Sequence, residues 1–209
     1  MGQDARMATK EKPRSARGEE TRARILKAAR TLLSEGTDRF TTRKVADLAE
    51  VSHGMCHYHF ATKRDLVVAL MDDARQDWID PLWSFVRSED PAVTRAKQIV
   101  SWMGEPATAE VMRVHQALYR SALDDDTARQ RLADQYAEWR GGFVKLFEDV
   151  AVELELEDID PVAIGGAFAS AADGLVQQQS LDAALDTQGL LWALFERLTY
   201  SGTSPKSPR

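Results

Sequence analysis

The stretch Thr41–Leu70, TTRKVADLAEVSHGMCHYHFATKRDLVVAL, constrains the fold more than any other part of the chain. Helix-start signals stand close together in it. Thr41 and Thr42 precede Val45, Ala46, Leu48 and Ala49, Ser52 follows almost at once, and Thr62 precedes Leu66, Val67, Ala69, Leu70 and Met71. A hydroxyl at each start accepts an otherwise unpaired N–H of the first helical turn, so each marks a new helix. The spacing leaves room for two short helices joined by a tight turn at Ala49–Ser52, a helix-turn-helix. The second is short and polar on one face, as a helix that enters a DNA major groove must be.

The rest of the chain also reads as helix. Ile25, Ala28, Ala29, Leu32 and Leu33 follow the spacing of one buried helical face, and Gly36 ends that helix. Pro81 is expected to kink or end the fourth helix. Asp90-Pro91, Glu105-Pro106 and Asp160-Pro161 read as caps followed by first-turn prolines. Asp124 to Asp126 breaks a helix before a long one over 127–155, followed by helices over 161–181 and 186–199. The expectation is an all-α protein of about nine helices with no strand-like alternation. Its parts are a basic disordered arm over 1–17, a three-helix helix-turn-helix domain over 18–71, a helical dimerisation and ligand-sensing domain over 72–200, and a disordered tail over 201–209.

Net charge is −6 over 209 residues, yet its distribution is lopsided. Residues 1–70 hold 14 Lys and Arg against 9 Asp and Glu, and the remainder holds 13 against 24. A basic front on an acidic body suits a chain of which only one part meets phosphate. No apolar run is long enough to span a bilayer, no signal-peptide pattern opens the chain, and the single Cys56 allows no internal disulfide, so a cytoplasmic protein without a membrane partner is expected. Gly-rich phosphate loops, paired metal motifs and a Gly-x-Ser-x-Gly elbow are absent from the sequence, so neither an enzyme nor a cofactor is expected. His53, Cys56, His57 and His59 invite a metal reading, but Cys56 belongs on the apolar face and no carboxylate completes the set.

Gly36, Thr41-Thr42, Val45-Ala46, Ala49, Val51-Ser52, Gly54, Tyr58-His59-Phe60, Lys63 and Leu66 form an ordered pattern that resembles the TetR family of bacterial regulators. The chain departs from it at Glu50, where the family has Gly in the turn; a side chain there must tolerate positive φ. The resemblance implies phosphate contacts from Thr42, Tyr58 and Lys63, with a base-reading role for Arg43, whose guanidinium can bond guanine O6 and N7 together. Ser52, His53, Gly54, Met55, His57 and His59 then lie on or beside the recognition surface. Cys56 and Phe60 read as core.

The blocks Tyr136–Arg140, Ala172–Val176 and Gln177–Leu181 resemble the C-terminal domain of the betaine-pathway (BetI-like) branch, in architecture and not in ligand. Helix 161–181 is rich in Gly, Ala and Ser, which suits close helix pairing. The family's pairing of its last two helices implies a homodimer through Gly166, Ser170, Gly174, Gln177, Leu181, Leu190 and Leu194, with Leu175, Leu191, Phe195 and Leu198 as further apolar surface. Five tryptophans are many for this length. An aromatic small-molecule pocket lined by Trp102, His115, Tyr119, Trp139, Phe143 and Asp173 is expected. The function implied is a sequence-specific transcriptional repressor of near-palindromic double-stranded operator DNA, released by a small-molecule effector. An activator or ligand-independent regulator on the same scaffold is the alternative.

Overall fold

The computed structural model describes residues 16–36 and 40–200, and of 106–110 the backbone alone. Of the arm expected over 1–17, residues 1–15 lie outside the described residues and Ala16 and Arg17 already begin the first helix; the tail over 201–209 lies outside them too. Among these residues there are nine α-helices and no strand: α1 Ala16–Glu35, α2 Thr42–Leu48, α3 His53–His59, α4 Lys63–Val86, α5 Ala92–Met103, α6 Pro106–Leu123, α7 Asp126–Glu153, α8 Pro161–Gln179 and α9 Thr187–Tyr200.

The caps sit where the sequence puts them. Thr41 Oγ1 accepts from Lys44 N at 3.2 Å, Ser52 Oγ from Met55 N at 3.1 Å, and Asp160 Oδ1 from Val162 N and Ala163 N at 3.0 and 3.1 Å. Thr62 and Asp65 form a reciprocal capping box at the head of α4, with bonds of 3.1 and 3.0 Å. Two prolines behave otherwise. Pro81 lies inside α4 and does not end it. It has no N–H to offer the Asp77 carbonyl, a loss of about 3 kcal/mol. Trp78, Ile79, Leu82 and Val86, all buried around it, contribute about 1.5–3 kcal/mol each and hold the helix through the defect. Pro91 stands one position earlier than expected, at the N-cap of α5, and Asp90 does not cap. The free Ala92 N–H is taken instead by the Glu153 carboxylate from the end of α7.

Two hydrophobic cores organise the chain. The first joins Ile25, Leu26, Ala29 and Leu33 of α1 to Val45, Ala46, Cys56, Phe60, Leu66, Leu70 and Met71. It continues to Ala74 and takes in Val114, Ala117, Leu118 and Ala122 of α6, with Ala128 and Leu132 of α7. The second gathers Trp78, Ile79, Leu82, Ile99, Trp139, Phe143, Phe147, Phe168, Leu191 and Phe195. Tyr136 packs against both cores. Beside it Gln135, buried, donates to the Met71 carbonyl at 2.7 Å and ties α7 to α4 at the junction. The helix-turn-helix unit is therefore seated on α6 and α7, and α4 runs from one core into the other.

Candidate nucleic-acid interface and effector cavity

The turn of the helix-turn-helix carries its strain at one residue. Val51 N donates to Ala46 O at 3.0 Å and Glu50 N to Asp47 O at 3.2 Å, the paired bonds of a Schellman C-cap. This motif needs a left-handed residue after the helix, and Glu50 occupies it with φ 55°. A side chain in that region costs about 1 kcal/mol that Gly does not incur. Glu50→Gly therefore raises the unfolding midpoint, by about 1 kcal/mol of stability in a denaturant titration; an unchanged midpoint would mean that its side chain, exposed at the turn, makes up the difference.

Cys56 is fully buried and roots α3 in the first core, and burial pushes its thiol above the usual range. Phe60 closes α3 from inside, and Arg22 of α1 lies over its ring at 5.4 Å. Both are core residues, as expected. The opposite side of α3 faces outward: Ser52, His53, Gly54, Met55, His57 and Tyr58 are exposed, Tyr58 at 82%. The hydroxyl of Thr42, half-buried at the head of α2, lies 3.4 Å from His53 Nε2 and so joins the two helices. His53 meets His57 edge to face at 4.4 Å, and His57 Nδ1 donates to the Ala61 carbonyl at 3.1 Å. His59 is half-buried, edge to face with Tyr58 at 5.3 Å. Arg43 is exposed on α2. Lys63, exposed at the first turn of α4, holds its Nζ 5.2 Å over the buried Phe40 ring.

Three further cations stand near this surface. Arg24 and Lys27 of α1 line a shallow basin together with Leu48 and Glu50 at the turn, and Lys44 is exposed on α2. The spacing of Arg24 and Lys27 along α1 is the sequence signal that points to them. Among the described residues, no three of His, Cys, Asp and Glu are grouped to hold a metal ion.

A cavity opens between α4, α5, α6, α7 and α8. Its apolar chamber, about 180 Å³, is lined by Trp78, Trp102, Met103, Met112, Trp139 and Val176, with Asp77, Glu105, His115 and Asp173. It shares Met112, His115 and Asp173 with a polar mouth of about 510 Å³, to which Gln116, Tyr119, Arg120, Tyr136 and Gln177 contribute. Trp102, His115, Tyr119, Trp139 and Asp173 thus line it. Phe143, expected among them, does not: it is fully buried, with its ring centroid 5.0 Å from that of Trp139 and 5.3 Å from that of Phe168. It lies one turn further along the same face of α7 as Trp139, packed between Trp139 and Phe168. Asp77, Trp78 and Tyr136 join the lining beyond the expected set.

Burial governs the chemistry of the cavity. It pushes the Asp173 carboxyl up to about 6, a rise opposed by the hydrogen bond that the Tyr136 hydroxyl donates to it. It lowers His115 to about 4, so this imidazole is neutral near pH 7. Asp77 is also raised by burial, held back by the guanidinium of Arg30. Arg30 is on α1 and pairs with both Asp77 and Asp73, the latter at 3.1 Å. The cavity wall is therefore bonded to the first helix of the helix-turn-helix domain.

The residues expected between two copies lie on the outer side of α8 and α9. Ser170, Gln177, Leu181 and Leu190 are exposed, Leu181 at 86%, and Gly166, Gly174 and Leu194 are half-buried. Leu191 and Phe195 are fully buried within the single chain and add nothing to that surface. Leu175 and Leu198 are half-buried against the second core.

Residues 25–70 match the family described as bacterial regulatory proteins, tetR family. Over 59 residues the chain is 41% identical to the HTH-type transcriptional regulator TtgR of Pseudomonas putida, a match that covers 28% of either chain. The match thus spans well under two thirds of that relative. Solved structures resemble the chain over most of its length. A TetR transcription regulator from Haloarcula marismortui has a TM-score of 0.74 at 16% identity, covering 88% of this chain and 98% of that one. The transcriptional regulator FadR of Bacillus subtilis, solved in complex with stearoyl-CoA, has a TM-score of 0.67 at 17% identity, covering 88% and 100%. At such identities the likeness shows the fold.

Proposed function

We propose that the protein, of which residues 25–70 match the tetR family of bacterial regulatory proteins, is a sequence-specific DNA-binding repressor, released from its operator by a small-molecule effector. The observation that carries the reading is the outward face of α3, anchored by Cys56 and flanked by Thr42, Arg43 and Lys63. Phosphate is held by Thr42, Tyr58 and Lys63, and the N–H groups at the head of α2 add to the attraction. Arg43 reads a base, and His53, Met55 and His57 set the preference around it. Two copies paired through α8 and α9 present two such helices to a near-palindromic site about 34–36 Å long from centre to centre.

The cavity supports the effector half of the reading. It lies against the same α6 that carries Val114, Ala117 and Leu118 into the first core, and Asp77 in its wall pairs with Arg30 of α1. A ligand that reshapes the cavity thereby acts on the seating of the reading head, and it releases DNA only by its differential affinity for the released state. The stearoyl-CoA complex of FadR is a property of that protein. The resemblance of Tyr136–Arg140 and Ala172–Leu181 to the betaine-pathway branch concerns architecture in this reading and assigns no effector.

The test is retention of genomic DNA fragments by the purified chain, followed by a footprint upstream of its own gene. Thr42 and Tyr58 are neutral, and Lys63 with the exposed Lys44 puts four cations on phosphate in two copies, so log affinity against log salt has a slope of about −4. Lys63→Ala removes one contact from each of the two copies, so it weakens all fragments alike and flattens the slope by about 2. Arg43→Ala costs about 1–3 kcal/mol on the best fragment and relaxes preference at one base pair in each half-site. Retention that ignores salt rules the reading out.

A further inference from the structure

Three polar groups in the cavity wall have unused bonding capacity. Trp78 Nε1 and His115 Nε2 are buried and have no hydrogen-bond partner. Asp173 takes one hydrogen bond from the Tyr136 hydroxyl, and no ion pair with it is found among the described residues. Buried polar atoms are partnered in all but a few cases, so two unpartnered nitrogens beside a carboxylate with lone pairs to spare mark the bonding pattern of a missing molecule. Trp78 Nε1 can only donate, the neutral His115 can donate or accept, and an ionised Asp173 can only accept.

The charges choose the sign of that molecule. Asp77, Glu105 and Asp173 line the chamber, and Arg30 offsets only Asp77. The one guanidinium on the lining, that of Arg120, stands at the mouth and not in the chamber. The remaining surface is largely apolar, three indoles among Met103, Met112 and Val176. Trp78 and Trp139 lie 5.5 Å apart, Trp102 and Trp139 6.4 Å apart, and an indole face attracts a cation.

Resting on the repressor reading of the same cavity, we propose that the effector is an apolar organic amine. Its protonated nitrogen donates to Asp173, its carbon body lies against Trp78, Trp102 and Trp139, and an oxygen on it accepts from Trp78 Nε1. The N–H bond to the carboxylate is charge-assisted and stronger than a neutral one, so a nitrogen with hydrogens is preferred to a fully alkylated one. Carboxylic acids and polyanionic acyl thioesters meet the carboxylates of the chamber and are turned away.

Four compounds of one shape separate these terms in titrations of the full chain, read by quenching of its tryptophan fluorescence. Phenylethanolamine carries the amine and the hydroxyl, and its N-trimethyl derivative lacks the N–H. Phenylpropanol replaces the ammonium with a methyl group, and mandelate replaces the aminomethyl group with a carboxylate. Phenylethanolamine binds at least about tenfold more tightly than each of the other three. Acidifying from about pH 7.5 to about pH 5 protonates Asp173 and erases most of that preference, while the amine stays charged. Of the other groups that face the site, His115 gains charge only near 4, and Asp77, Glu105, Tyr119, Tyr136 and Arg120 surround it. Asp173→Asn abolishes the preference at both pH values, and the pH titration of the unaltered chain reads the same effect with no variant to fold.

No quenching by phenylethanolamine, equal binding of any of the other three, or a preference that survives in Asp173→Asn overturns the proposal. The retention assay, run without any compound, reports separately on the repressor reading. A chain that retains no DNA yet prefers the amine loses the regulator reading and keeps the amine site. A chain that retains DNA and prefers mandelate keeps the first and loses the second.

Discussion

Gly165→Ala lowers the stability of the chain by about 3 kcal/mol, whereas Gly166→Ala leaves it unchanged or raises it by up to about 1 kcal/mol. The two glycines are neighbours on α8, so their Cβ positions point about 100° apart around its axis. A Cβ on Gly165 would meet the Val144 backbone at 2.7 Å and the Phe143 carbonyl carbon at 2.9 Å. Backbone atoms of α7 cannot step aside as a flexible side chain would, so the helices must separate and open the core around Phe143, Phe147 and Phe168. A Cβ on Gly166 meets nothing within 4 Å. There the substitution only removes the entropy that a glycine loses in a helix. Denaturant unfolding of both variants gives the comparison. Equal midpoints would show that α7 and α8 can slide apart at little cost, and that their close approach does not depend on Gly165.

This pair shows where the sequence stops being readable. A helix full of Gly, Ala and Ser says that something comes close, but not from which side. Close approach to α7 within the chain and an open outer face one residue away are indistinguishable until the helix is rotated into place. Helix starts are the opposite case. Thr41, Ser52, Thr62 and Asp160 cap through bonds to residues two or three positions on, so nothing distant is needed to read them. Gly36, at the end of α1 with positive φ, is legible for the same reason, whereas the positive φ of Glu50 at the end of α2 is legible only through the resemblance, which has Gly there.

Pro81 defeats a local reading because its effect is local and its remedy is not: the buried side chains around it hold α4 together. The cavity is half legible. Its tryptophans, tyrosine and histidine announce an aromatic site, yet of Trp139 and Phe143, one turn apart on the same face of α7, only Trp139 lines it. Asp77 and Trp78 stay hidden in the sequence because α4 beyond Met71 is buried on several sides, which blurs the periodicity that would show a face. The exposed row on α3 is legible from its resemblance to a known pattern more than from its polarity, since an ordinary surface helix is polar too.

Gly166→Leu is the second large effect, and it concerns the pairing of two chains. Val162, Ser170 and Gln177 are exposed along one side of α8, with Gly166 between them, Leu181 is exposed in the turn just after it, and Leu190 is exposed on α9. A leucine at Gly166 fits the single chain, because its Cβ enters open space, so the folded chain melts as before. Between two copies the same leucine occupies room that a facing helix needs. In sedimentation the variant runs as a monomer at concentrations where the unaltered chain runs as a dimer. Operator affinity falls by at least about a thousandfold, because the second reading head no longer binds as an intramolecular event. Base preference within one half-site stays the same, since α3 and Arg43 are untouched. A variant that remains dimeric and holds its operator would move the pairing surface away from this face of α8. A monomeric variant that binds as tightly as the unaltered chain would remove the need for two heads and, with it, the expectation of a near-palindromic site.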